Sequence, residues 1–225
     1  MTVQLGNGYK EFYGRNIEQM PLLIAEGLRP MSVATLMQKR LDVLGTPSQD
    51  VFWINYFDTG DAIAYAPDGK MKVVLDAEAP RAMTRTSKSS NGALVLPSGA
   101  YEKLNATAEF TRKELVPYIG KSLSEAAVRE NPVWQALAGG DQALLNAYAF
   151  AVFKEAKRVY NYDKNMGVFV TSAQAEPIMR LWFVNELYYV SNANGSSYLF
   201  KDFGRFVGVA PEAQKARDTI EARLR

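Results

Sequence analysis

The sequence predicts an α+β fold: a predominantly helical single compact domain over residues 1–225, with a small antiparallel sheet built on a 62–76 β-hairpin. Three observations predict it. Apolar residues recur at helical spacing between 16 and 45 and again between 142 and 160. The turn Pro67-Asp68-Gly69-Lys70 separates two short apolar runs, as in a hairpin. No repeat, low-complexity tract or Gly/Ser/Pro-rich linker divides the chain, and any subdivision would fall near 105–120.

Along the chain, Asn16 and Gln19 have the spacing of a capping box ahead of Ile17, Met20, Leu23 and Ile24, and Gly27 closes that helix. Ser32 caps a second helix in which Val33, Leu36, Met37, Leu41 and Leu44 recur before Gly45. The runs 62–66 and 71–77 form the hairpin, and 93–96 is a short third strand after a polar loop. Ser124 caps the next helix, Asn131 precedes a proline at a first helical position, and Asp141 caps the longest helix, 142–160. Between Ala143 and Phe153 only Asn146 is polar, which predicts a helix through the middle of the domain. A short strand at 167–170 precedes a second very apolar helix beginning near Pro177, where Glu176 and Arg180 have the spacing of an ion pair. The segment 191–197 reads as a loop, 198–209 is open between strand and irregular structure, and Pro211 starts a charged terminal helix.

Composition excludes whole classes of chemistry. There is no Cys and no His among the 225 residues. Thiol nucleophiles, zinc ribbons, Ser-His-Asp triads and histidine bases are therefore absent, and any resident metal must be a hard, oxygen-ligated ion. Net charge is +2 without a block of one sign, so the footprint of a dedicated nucleic-acid binder is missing. The N-terminus shows no secretory pattern and the apolar runs are too short to cross a bilayer, so the expectation is a cytoplasmic protein off the membrane.

Asp58-Thr59-Gly60, preceded by Tyr56 and Phe57, resembles the active-site loop of aspartic proteases. That resemblance implies two aspartates sharing a proton within an all-β body. The chain holds no second copy, so a dyad requires a homodimer, and the predicted helical body is not that fold. In the plain reading Asp58 and Asp61 flank Gly60 in a turn feeding the hairpin. Asp58, Asp61 and Asp76 are candidate ligands for Mg²⁺ or Ca²⁺, because a hairpin brings its two ends together.

The stretch "EFYGRNIEQMPLLIAEGLRP", 11–30, resembles the opening of ADP-ribosyltransferase-like domains. The resemblance implies an NAD site lined by Arg15, with "TRTSKSS" (84–90) as the Ser/Thr-rich strand. The chain departs from the family in having no Glu-x-Glu pair. There is no P-loop and no dinucleotide-binding glycine fingerprint, which leaves Arg81, Arg85 and Lys88 as the candidate anion loop. The aromatic stretches "NYFD", "YYV" and "VYNY" suit core or interface packing, or a stacking platform.

These readings combine into an expected function. The protein acts mainly through binding, with a protein partner or self-association. The alternative is an enzyme using carboxylate and arginine, either ADP-ribosyltransferase-like with NAD or a divalent-metal phosphohydrolase.

Overall fold

The computed structural model describes residues 2–5, 8–172 and 174–211. In chain order the first half holds β1 (Thr2–Gln4), β2 (Tyr9–Gly14), α1 (Asn16–Ala25), β3 (Arg29–Pro30), α2 (Val33–Asp42) and α3 (Gln49–Trp53). Next come β4 (Phe57–Tyr65), β5 (Lys70–Val74), α4 (Glu78–Arg81), β6 (Ser89–Ser90), β7 (Ala93–Val95) and β8 (Ala108–Thr111). The second half holds α5 (Arg112–Leu115), α6 (Glu125–Arg129), α7 (Pro132–Leu137), α8 (Gln142–Tyr160), β9 (Val168–Phe169) and β10 (Ile178–Val184). A single 3₁₀ turn (Leu187–Tyr189), β11 (Ala193–Asn194) and β12 (Gly204–Val209) complete the described residues. The terminal helix expected from Pro211 falls on residues 212–225, outside them.

Several predicted caps form as local chemistry requires. Ser32, Ser124 and Asp141 accept from the backbone N–H three residues on, and Asn131 accepts from Val133 and Trp134. Asn16 does not cap: α1 has Arg15 at its N-cap position without a side-chain cap bond, and Asn16 lies buried inside the first turn.

The predominantly helical body with a small sheet is overturned. Among the described residues twelve strands join one mixed sheet, whose main path runs β1-β2-β12-β4-β10-β11-β9. The 62–76 hairpin is real, with Ala62 opposite Val74 and Tyr65 opposite Met71, but it is a branch of this larger sheet. The helix expected from Pro177 is instead β10, which pairs antiparallel with β4 from Ile178 opposite Tyr65 to Leu181 opposite Ala62. Glu176 pairs with Lys88 rather than with Arg180.

The reason is burial on both faces. Ile63, Tyr65, Ile178 and Trp182 join the core formed with α7 and α8. Their neighbours Ala62, Ala64, Met179 and Leu181 pack into separate clusters on the opposite face, the last of them with α1. A strand covered on both sides carries a nearly continuous apolar run, and the seven residues of β10, apolar but for Arg180, do not distinguish a strand from a helix by periodicity. The long helix α8 is amphipathic rather than central: Leu145, Tyr148 and Val152 are buried, while Phe150 is 55% exposed.

Candidate functional site

Asp58 sits near the start of β4, opposite Phe183 of β10 and Phe206 of β12. Its side chain is buried, and donors from three parts of the chain converge on it. Ser197 Oγ donates to Oδ1 at 3.0 Å and the Arg205 N–H donates to Oδ2 at 2.8 Å. The Asn16 amide also donates to it. Burial raises the Asp58 pKa, while the three donors and the nearby Lys201 charge oppose that shift.

Above Asp58 opens a cleft of about 260 Å³. Its wall carries Tyr56, Phe183, Tyr189, Tyr198 and Phe203, and its polar groups include Asn16, Glu186 and Lys201. Gly204 lets the Asn16 side chain in, because a Cβ there would lie 2.0 Å from Asn16 Oδ1. Two buried acceptors at the cleft, Asn16 Oδ1 and Glu186 Oε2, have no hydrogen-bond partner. Such atoms are expensive to bury unpaired; others occur elsewhere among the described residues, including both side-chain polar atoms of Asn165, but these two share one cleft and both are acceptors.

Two buried arginines hold the surrounding loops by their backbones. Arg40 donates to the Phe52, Asn55 and Asn185 carbonyls at 2.9, 3.0 and 3.0 Å and to the Tyr148 hydroxyl at 2.7 Å. Arg180 donates to the Ser197 and Asn91 carbonyls at 2.8 and 2.6 Å, and its guanidinium lies 4.8 Å from the Tyr198 ring centre. Desolvation depresses the Arg180 pKa below the usual arginine range. Tyr198 is wedged by Gly92 as well, where an added Cβ would meet its ring at 2.2 Å.

The three aromatic stretches meet on this side of the molecule. Tyr160 stacks on Tyr162 with ring centres 5.4 Å apart and meets Tyr188 edge-on at 5.7 Å, and Tyr188 meets Tyr189 at 5.0 Å. Tyr56 packs edge-on against Phe183, and its hydroxyl donates to the Phe203 carbonyl. Tyr188, Tyr189, Tyr198, Phe200 and Phe203 are all exposed despite their size. An apolar patch of this kind around a polar cleft is the usual mark of an interaction surface.

Of the predicted metal ligands, the structure brings Asp61 and Asp76 together and places Asp58 apart from them. Asp61 lies three positions beyond Asp58 on the same strand, so it points to the opposite face. There it accepts from the Val33 N–H at 2.7 Å and the Asp76 N–H at 2.9 Å, closing the N-terminus of α2. Burial raises its pKa to about 6, against the lowering effect of those two N–H groups. No group of three acidic side chains able to hold a metal ion occurs among the described residues. Gly60, between the two aspartates, allows β3 to approach: a Cβ would lie 2.8 Å from Pro30 Cγ. Each candidate anion-binding cation has its own carboxylate, Arg15 with Asp202, Arg81 with Asp76, Arg85 with Glu18 and Lys88 with Glu176. Asn16 and Glu186 were not singled out from sequence as site residues; of the aromatic wall, Tyr56 and Tyr189 lie in stretches read as interface packing or a stacking platform, whereas Phe183, Tyr198 and Phe203 do not. The available signal was the density of aromatics between 182 and 203, where Trp182, Phe183, Tyr188, Tyr189, Tyr198, Phe200 and Phe203 fall.

The chain matches no protein-family model and no curated protein sequence. It is similar in structure to a solved chain described as "Accommodation of massive sequence variation in Nanoarchaeota by the C-type lectin fold". The TM-score is 0.66 at 19% sequence identity, with 92% of this chain and 100% of that chain covered. The likeness is one of fold, and it agrees with the sheet-rich architecture that replaces the helical expectation.

Proposed function

We propose that this protein is a binding module that engages a partner protein through the cleft and its aromatic rim. The observation that carries this reading is the pair of unpaired buried acceptors, Asn16 Oδ1 and Glu186 Oε2, beneath a ring of exposed aromatic side chains. Aromatic residues are the commonest anchors of protein interfaces, because they bring large contact area with few rotatable bonds. The way the loops are held supports the same reading. Arg40 and Arg180 grip main-chain carbonyls, so the loop paths around the cleft do not depend on the outward side chains. A face built in that manner tolerates changes in its contact residues, as the similar solved chain is described as accommodating massive sequence variation.

A random-peptide display selection on the immobilised protein tests the reading. Enriched sequences should bind the wild type and lose binding at least tenfold in a Tyr189→Ser/Phe203→Ser double variant that still folds. Enrichment of no sequence, or enrichment indifferent to the double variant, would sink it.

A further inference from the structure

The unpaired atoms of the cleft share one chemical character, and it specifies what they receive. Asn16 orients by its neighbour: its NH₂ faces Asp58, because the amide oxygen would be repelled by a carboxylate. That leaves Oδ1 as the free atom, and it can only accept. Glu186 Oε2 is likewise an acceptor. Two carboxylates line the cleft, Asp58 and Glu186, against one ammonium, Lys201. The other cations nearby are already engaged, Arg205 by Glu11 at 2.7 Å and Arg180 by the Ser197 and Asn91 carbonyls and the Tyr198 ring.

The walls suit a cation as well. Lys201 Nζ already lies 5.1 Å from the Tyr198 ring centre and 5.6 Å from that of Phe203. Ring faces attract positive charge through their quadrupole, more strongly when water is excluded. Lys201 is exposed and long, so it can leave these rings to a better-placed charge.

The geometry points to a basic side chain of the partner protein, lysine or arginine, as the group that fills this cleft, donating to Asn16 Oδ1 and Glu186 while packed among the aromatic rings. This rests on the binding role proposed above and names the chemistry it recognises. An apolar or acidic side chain would leave the two acceptors unpaired, an acidic one would add repulsion from both carboxylates, and a neutral amide or hydroxyl would supply a donor without the charge that the carboxylates and ring faces attract.

The test uses the full chain and four capped peptides, acetyl-Gly-Gly-X-Gly-Gly-amide with X as arginine, lysine, citrulline or glutamate, titrated by amide NMR. The arginine and lysine peptides should bind at least tenfold more tightly than the citrulline and glutamate ones, with shifts centred on 183–204. Glu186→Gln, a change of charge without change of shape, should cut that preference about fivefold or more, and Lys201→Gln should tighten arginine binding several-fold by removing the resident competitor. Equal binding of arginine and citrulline, a preference untouched by Glu186→Gln, or weaker binding in Lys201→Gln would overturn the inference. Tighter binding of spermidine than of either basic peptide would move the occupant to a small polyamine and overturn it too. If display selection succeeds while these peptides show no charge preference, the binding face stands and only its cationic occupant falls.

Discussion

Asp58 and Asp61 lie on one strand, both buried, yet the two regions they serve differ in kind. Behind the sheet, Asp61 closes the start of α2, and each of its oxygens takes a backbone N–H. On the cleft side Asp58 is equally well supplied, but its surroundings are left with acceptors that lack donors. The difference teaches that a buried carboxylate is not in itself a functional signal; the incomplete hydrogen bonding around it is.

Substitutions should separate the two regions, and the largest effect belongs to the closed one. Asp61→Ala strands the buried Val33 N–H and the partly buried Asp76 N–H and opens a void, so urea denaturation should show a loss of about 3 kcal/mol. A loss below about 1 kcal/mol would mean that the region is not closed as described.

Next in size is a pH effect on the same residue. Burial raises the Asp61 pKa from 3.8 to about 6, so the folded state holds the proton more tightly than the unfolded state. Stability from this group is therefore greatest at low pH and falls as pH rises from 3.8 through about 6, by on the order of 3 kcal/mol. Asp61→Asn should flatten the stability–pH slope in that window, and parallel slopes for the two proteins would refute the assignment.

A smaller change reaches the cleft from outside. Gly92 has φ +74° and no room for a Cβ against Tyr198. Gly92→Ala should cost about 2 kcal/mol and displace Tyr198 from Arg180, visible as shifted loop amides around 196–199. An unchanged spectrum would show that Tyr198 is not wedged there.

The smallest effect on stability is expected at the rim. Tyr189→Ser and Phe203→Ser remove exposed rings and should each stay within about 0.5 kcal/mol of the wild type. A large destabilisation would make the rim part of the core and blur the contrast between the regions.

How far sequence reasoning reached depends on how local the governing interaction is. Ser32, Ser124, Asn131 and Asp141 bond to N–H groups two or three residues away, so their caps follow from neighbours in the chain. Asn16 has the same capping chemistry, but it is already the first helical residue after Arg15, and its NH₂ turns to a tertiary partner, Asp58, while its oxygen stays unbonded. The run at 178–184 is apolar enough for either helix or strand, and only its pairing with β4 decides.

By itself the sequence determined the absence of thiol and imidazole chemistry, the position of α8 and the turn of the hairpin, because these depend on residue identity and near neighbours. The tertiary structure decided the extent of the sheet, the opposite facing of Asp58 and Asp61, and the cleft. Ser197 and Arg205 reach Asp58 across 139 and 147 residues of chain. Contacts so distant form only when the central strands bury both faces, and no local pattern encodes them.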